Sequence, residues 1–134
     1  MPKTVFITGS SSGIGKSTAL YFQKQGWNVA ATMRSPDKEI NRSNSLASLD
    51  RVICLKLDVT DRLSIANAVA ETIARLGAID VLVNNAGYGM LGAFETSTPE
   101  QIQRQFDTNV FGLMETTRTV LPHFRDRKQG VIVN

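Results

Sequence analysis

Residues 7–17 read Ile7-Thr8-Gly9-Ser10-Ser11-Ser12-Gly13-Ile14-Gly15-Lys16-Ser17, or ITGSSSGIGKS, and the fold turns on what this stretch is. It follows a short apolar run, Thr4 to Thr8, and leads into a helical stretch, Gly15 to Gln25, that stops at Gly26 in the manner of a glycine C-cap. A glycine-rich turn between strand and helix has a definite physical use. Gly9 permits the turn, Gly13 lets a ligand's phosphates approach the backbone, and Gly15 allows helix and strand to pack closely. Unpaired N–H groups at the helix start attract anions. The spacing is G-x-x-x-G-x-G rather than G-x-G-x-x-G, and a flexible Gly/Ser loop is the bland alternative. Its place between strand and helix favours a dinucleotide site.

Outward from this turn, strand patterns recur at Thr4 to Thr8, Trp27 to Thr32, Val52 to Leu57, Asp80 to Asn84 and Gly130 to Asn134. Most are nearly continuous Val/Ile/Leu runs, which is how strands buried on both faces read. Between them, Asp61 to Leu76 carries Ile65, Val69, Ile73 and Leu76 on one helical face before Gly77. A longer helix starts with Thr98 as N-cap, Pro99 at the first position and Gln101 placed for a capping box. Ile102, Phe106, Val110, Leu113, Met114, Thr117, Val120, Leu121 and Phe124 trace its apolar stripe, predicted to pack on the sheet, with a kink at Pro122. The polar segment Ser35 to Asp50 reads as a loop with one short helix. Strands alternating with helices imply a parallel sheet with helices on both faces. The expected fold class is α/β, a Rossmann-like doubly wound parallel sheet of five strands in the order 3-2-1-4-5. In such sheets ligands sit at the carboxyl ends of the strands, near the switch point.

Composition narrows the functional classes. The 134 residues suit one domain, and 42% hydrophobic against 20% charged residues excludes a disordered chain. Fifteen Lys and Arg residues give a net charge of +3, but they are scattered, so no nucleic-acid track is expected. No stretch reaches the roughly 18 apolar residues a membrane span needs, and no signal-peptide core follows Met1, so no membrane association and a cytoplasmic home are expected. Cys54 is the sole cysteine and reads as a small buried hydrophobe.

Several side chains stand where the strands end. A site for NAD would show an acid after the second strand to hold the ribose hydroxyls, but the sequence there is AATMRS, with Arg34. A guanidinium can fork onto a 2′-phosphate and stack on adenine, which favours NADP over NAD. Asp58, in LDVT after the third strand, could accept from the adenine amino group or cap the helix that begins at Asp61. In VLVNNAGYG, paired asparagines can lock neighbouring backbones, while Ala86 and Gly87 leave room for a flat ring or ribose. Asn109 puts a primary amide in the apolar stripe, either to bend the helix or to join a polar network reaching an active site. His123 reads as a surface cap near the helix end.

TGSSSGIG, DVT, NNAG and an asparagine in the long helix, in this order and spacing, resemble the short-chain dehydrogenase/reductase family across the whole stretch. The wording NNAGYGMLGAFE and FDTNVFGLMETTRTVLPHF is similar to the branch holding hydroxysteroid and retinol dehydrogenases and related bacterial reductases. The resemblance implies that Gly9, Ser11, Gly13, Ile14 and Gly15 contact pyrophosphate and ribose, Arg34 the 2′-phosphate, and Asp58 and Val59 the adenine. Asn85, Ala86 and Gly87 would face the ribose and nicotinamide. Asn109 matches the family's catalytic asparagine, which holds the helix kink and a water feeding protons toward a lysine. The family's catalytic serine and Tyr-x-x-x-Lys pair have no counterpart here, since Gln25 and Gly92 stand four residues after Tyr21 and Tyr88.

The expected function is therefore NADP(H)-dependent hydride transfer to or from an alcohol or carbonyl substrate in a longer parent. Residues 1–134 would be its N-terminal dinucleotide-binding part, broken off after the fifth strand and inactive alone. The alternatives are a non-catalytic dinucleotide-binding module and an interaction module that recruits a partner through the open fifth strand and the long helix. The family forms homo-oligomers through that helix and a neighbour not present here, a state this stretch does not inherit by itself.

Overall fold

The computed structural model of the chain describes residues 2–134. Its strands are β1 (Thr4–Ile7), β2 (Asn28–Met33), β3 (Val52–Lys56), β4 (Val81–Val83) and β5 (Val131–Val133). They form one sheet in the order β3-β2-β1-β4-β5, every neighbouring pair parallel. This is the expected five-stranded order. The helices are α1 (Gly13–Lys24), α2 (Pro36–Ile40), α3 (Arg62–Leu76), α4 (Pro99–Phe106) and α5 (Leu113–Arg127).

Alternating side chains of the central strands feed two apolar layers. Val5, Ile7, Val29 and Ala31 face α1 through Ala19, and Leu46 plugs the same layer from a single 3-10 turn, Leu46–Ser48. Phe6, Ala30 and Leu82 face the opposite layer, where Ile65, Ala68 and Val69 of α3 meet Val120 and Phe124 of α5. Burial on both faces is why these strands read as unbroken apolar runs. Cys54 is half-buried beside the first layer. Burial, aided by the Glu39 charge and opposed by Lys16, pushes its thiol up to about 11, which leaves it an unreactive packing group at neutral pH.

Local signals set the helix ends. Asp61 caps α3, accepting from the N–H groups of Leu63 and Ser64, and Gly77 follows with φ +87°. The capping box at Thr98 and Gln101 is formed, with Gln101 N–H donating to Thr98 Oγ1 at 3.1 Å and Gln101 Oε1 accepting from Thr98 N–H at 2.9 Å.

The long helix differs from its sequence pattern. It is not continuous: a π-helical turn, Asp107–Gly112, separates α4 from α5, so its irregularity lies around Asn109, while α5 runs on through Pro122. The expected stripe is also only partly buried. Val120 and Phe124 are in the core, whereas Phe106, Val110, Met114 and Leu121 are exposed. The face that meets the sheet is Gly112, Thr116, Val120 and Phe124. Gly112 lies so close to Val59 that an added Cβ would sit 2.7 Å from Val59 Cγ2, and Thr116 returns its hydroxyl to Gly112 O at 2.8 Å. A glycine makes the close approach and a threonine is buried beside it, and a hydropathy pattern does not register them.

His123 is likewise not a terminal cap. Its Nε2 accepts the Ile79 N–H at 3.0 Å, fixing α5 to the chain entering β4. The bond requires the neutral ring with its proton on Nδ1.

Candidate cofactor site

The strand order reverses at β1, which has β2 on one side and β4 on the other. A cleft of about 890 Å³ opens at the carboxyl ends of these strands, between the glycine-rich turn and the chain after β4. That volume is in the range of pockets that enclose small organic ligands.

Thr8 and Asn85 build the floor. Thr8 Oγ1 accepts the N–H groups of Asn85 at 3.0 Å and Ala86 at 2.9 Å. Asn85 Nδ2 in turn donates to Thr8 O at 3.2 Å and Gly9 O at 2.9 Å. The two loops are thus one hydrogen-bonded unit, and space between them is minimal. A Cβ on Gly15 would press into Gly9 O and lie 2.5 Å from Asn85 Nδ2, so this glycine is required by the turn and by Asn85 rather than by the strand.

Gly13 differs. Its φ is +57°, and nothing lies within 4 Å of an added Cβ. The Ser12 hydroxyl makes no capping bond and the first turn of α1 holds no acid, so the leading amides of α1 have no side-chain acceptor. Backbone donors at a helix start, without a side-chain acceptor, suit a phosphate.

At the other end of the cleft stand Arg34, exposed just after β2, and Asp58 after β3. The sequence left two roles open for Asp58, and capping α3 is not one it fills, since Asp61 does that. Asp58 Oδ1 instead accepts from Thr60 N–H at 2.9 Å and Thr60 Oγ1 at 2.7 Å. These bonds hold its carboxyl below the usual carboxylate range, with Arg34 and Lys56 adding to the effect and burial opposing it. The second carboxylate oxygen has no hydrogen-bond partner among the described residues. It is open to accept from a ligand amine.

Asn109 lies half-buried in the π turn, behind the cleft wall. Its Oδ1 accepts the Tyr88 N–H at 3.0 Å and its Nδ2 donates to Tyr88 O at 2.7 Å. A Cβ on Gly87 would lie 3.0 Å from the same Oδ1. Of the residues singled out in the sequence, Gly9, Ser11, Ile14, Arg34, Asp58, Val59, Asn85, Ala86 and Gly87 line the cleft. Gly13, Gly15 and Asn109 stand behind or beside its wall. Arg104, Asp107 and Thr108 also line it, and sequence reasoning missed them. The only signal was their closeness to Asn109, which means little without the π turn.

The donor set fits a dinucleotide: amides without a side-chain acceptor at a helix start, a cation rather than an acid at the first position after β2, and a glycine turn too tight for any Cβ at Gly15.

Comparison with known proteins gives the class. The family profile described as short chain dehydrogenase matches residues 3–134, and the chain belongs to that family. It is 40% identical over 133 residues to a 3-ketodihydrosphingosine reductase of Bacteroides thetaiotaomicron, covering 99% of this chain and 46% of that protein. It is 38% identical over 139 residues to a 2-(R)-hydroxypropyl-CoM dehydrogenase of Xanthobacter autotrophicus, covering 100% of this chain and 56% of that one. The chain thus spans about half the length of the curated relatives it matches. Among solved structures, ElxO with NADP bound superposes with a TM-score of 0.92 at 32% identity, over 100% of this chain and 55% of that one. A 3-ketoacyl-(acyl-carrier-protein) reductase of Brucella melitensis, solved with NADH, gives 0.88 at 30% identity, over 97% and 55%.

Proposed function

We propose that the whole protein is an NADP(H)-dependent oxidoreductase that moves a hydride between the nicotinamide and an alcohol or carbonyl substrate, and that residues 1–134 are its N-terminal, cofactor-holding part. The observation that carries this reading is Arg34 on the wall of the cleft that Ser11 also lines, standing at the first position after β2 where an NAD site would show an acid. A fork of N–H donors there suits a 2′-phosphate, whereas NAD sites favour a carboxylate on the ribose hydroxyls.

When bound, the dinucleotide supplies or accepts the hydride. The chain's own part is to bind and orient it. The amides at the start of α1 receive the pyrophosphate. Arg34 receives the 2′-phosphate, and the open oxygen of Asp58 accepts from the adenine amino group. Gly87 leaves the main chain after β4 bare for the nicotinamide side, and Asn109 holds that stretch still through Tyr88. In this structure both polar atoms of the Asn109 side chain are engaged with the Tyr88 backbone, so it acts here as a positioning residue. Proton transfer to the carbonyl oxygen needs a donor these residues do not provide, because neither Tyr21 nor Tyr88 has a lysine four residues on.

The test is a calorimetric titration of the chain with NADPH and NADH. Tighter binding of NADPH supports the reading, a preference for NADH moves it to NAD, and a folded chain that binds neither overturns it.

A further inference from the structure

Glu39 is the only acidic side chain in the core among the described residues, 1% exposed, and neither the fold nor the proposed chemistry accounts for it. A buried carboxylate is costly unless paired and hydrogen-bonded, and this one is fully engaged. Its Oε1 accepts the Leu46 N–H at 2.9 Å and faces Lys16 Nζ at 3.4 Å. Its Oε2 accepts from Arg42 Nη1 at 3.2 Å. The same Arg42 nitrogen donates to Ser11 O at 3.0 Å. Ser11 is the middle of the glycine-rich turn, and Lys16 lies in the first turns of α1. The segment after β2 is therefore joined to the turn before α1 through one carboxylate.

The charges give this arrangement its sense. A carboxylate beside a phosphate-binding turn would repel its ligand, but Glu39 is paired with two cations, Lys16 and Arg42, so the three side chains together carry a net positive charge. Ser11 and Ser12 line that cleft, the Ser11 carbonyl is held by Arg42, and in a trans peptide the Ser12 N–H points away from that carbonyl. Leu46, anchored by Glu39 through its N–H, fills the apolar layer under β1 and β2, so the bracket is tied to the core rather than to a mobile surface.

We propose that Glu39 is a positioning residue of the dinucleotide site, acting through Arg42 to hold the Ser11–Ser12 peptide in the conformation that receives the cofactor's phosphates. This rests on the cofactor reading above. Glu39 touches no ligand, and its effect reaches the cleft only along Glu39–Arg42–Ser11.

The test uses the chain with Glu39→Gln, Arg42→Met and both changes together. Glu39→Gln keeps an acceptor for the Leu46 N–H and leaves no buried charge, so this variant is the one expected to retain the fold, as is the double variant for the same reason. Two readouts are taken: NADPH affinity by calorimetry, and the backbone amide resonance of Ser12, which reports on the Ser11 carbonyl without any cofactor. Each single variant is expected to lose about tenfold in affinity, the scale of one charge-assisted hydrogen bond. The double variant is expected to lose no more than either single one, because both act through one route, and the Ser12 amide is expected to shift in all three. Unchanged affinity in a folded variant, additive losses, or an unmoved Ser12 amide overturns the proposal. A wild-type chain that binds neither NADPH nor NADH overturns the cofactor reading and the proposal with it, whatever the variants do.

Discussion

Asn109 grips the backbone of Tyr88 at both ends, its Oδ1 accepting the Tyr88 N–H at 3.0 Å and its Nδ2 donating to the Tyr88 carbonyl at 2.7 Å. A primary amide here mimics a neighbouring peptide, and it ties the π turn of the long helix to the loop that follows β4. Asn109→Ala removes both bonds where water can partly replace them, so a stability loss of about 1 kcal/mol is expected in urea titrations. Asn109→Asp keeps the acceptor but turns a carboxylate oxygen on the Tyr88 carbonyl, so it should cost more than alanine. An equal or smaller loss would show that the second bond contributes nothing.

The two glycines after the turn separate steric need from conformational need. Gly15→Ala would drive a methyl group into Gly9 O and the Asn85 amide. Neither can retreat without breaking the Thr8–Asn85 network, so a loss of about 3 kcal/mol or more is expected. Gly13→Ala meets no atom within 4 Å and suffers only from its φ of +57°, about 1–2 kcal/mol. Denaturant midpoints of the two variants should therefore differ clearly, and equal midpoints would refute the packing argument.

Arg34 should decide between cofactors. Arg34→Leu removes the cation at the end of β2 without adding an acid, and NADPH affinity is expected to fall about 10- to 100-fold while NADH affinity stays within about twofold. Equal losses for both would place Arg34 over the adenine instead of the 2′-phosphate.

The His123 ring should make stability pH-dependent. Its folded pKa lies below the ordinary 6.5, chiefly through burial and then through the Arg127 charge, with Asp80 and Asp126 in opposition. A histidine depressed in this way is neutral in both states above 6.5, where its contribution to stability is fully present. As pH falls from there toward the lowered folded value, the unfolded chain takes up more protons and that contribution is lost. The urea midpoint should drop across this window, and His123→Gln should flatten the drop. A midpoint as pH-dependent in the variant as in the wild type would assign the effect elsewhere.

Carbonyl reduction by these residues alone is not expected. Without a tyrosine–lysine pair, each absent proton-transfer group costs about 10²- to 10⁴-fold in rate, so the purified chain should not measurably oxidise NADPH with a carbonyl substrate. Oxidation that Asn109→Ala abolishes would show that it carries chemistry of its own.

Much of this was legible in the sequence because the controlling interactions are local. The unbroken apolar runs at Val5, Val29 and Leu82, the turn at Gly9 to Gly15, and the cap at Thr98 follow from sterics and hydrogen bonds within a few residues. Their order along the chain was enough to place Arg34, Asp58 and Asn85 at one end of one sheet. The tertiary structure decided what depends on partners far away in sequence. Val59 fills the space over Gly112 of the π turn, and Thr116, Val120 and Phe124 of α5 turn to the core while Phe106 and Met114 stay outside. Ile79 makes an acceptor of His123, 44 residues away, and Lys16 with Arg42 makes burial of Glu39 tolerable. Hydropathy and spacing carry the choice of element, but which face is covered, and which polar group finds its complement, is settled only when distant surfaces meet.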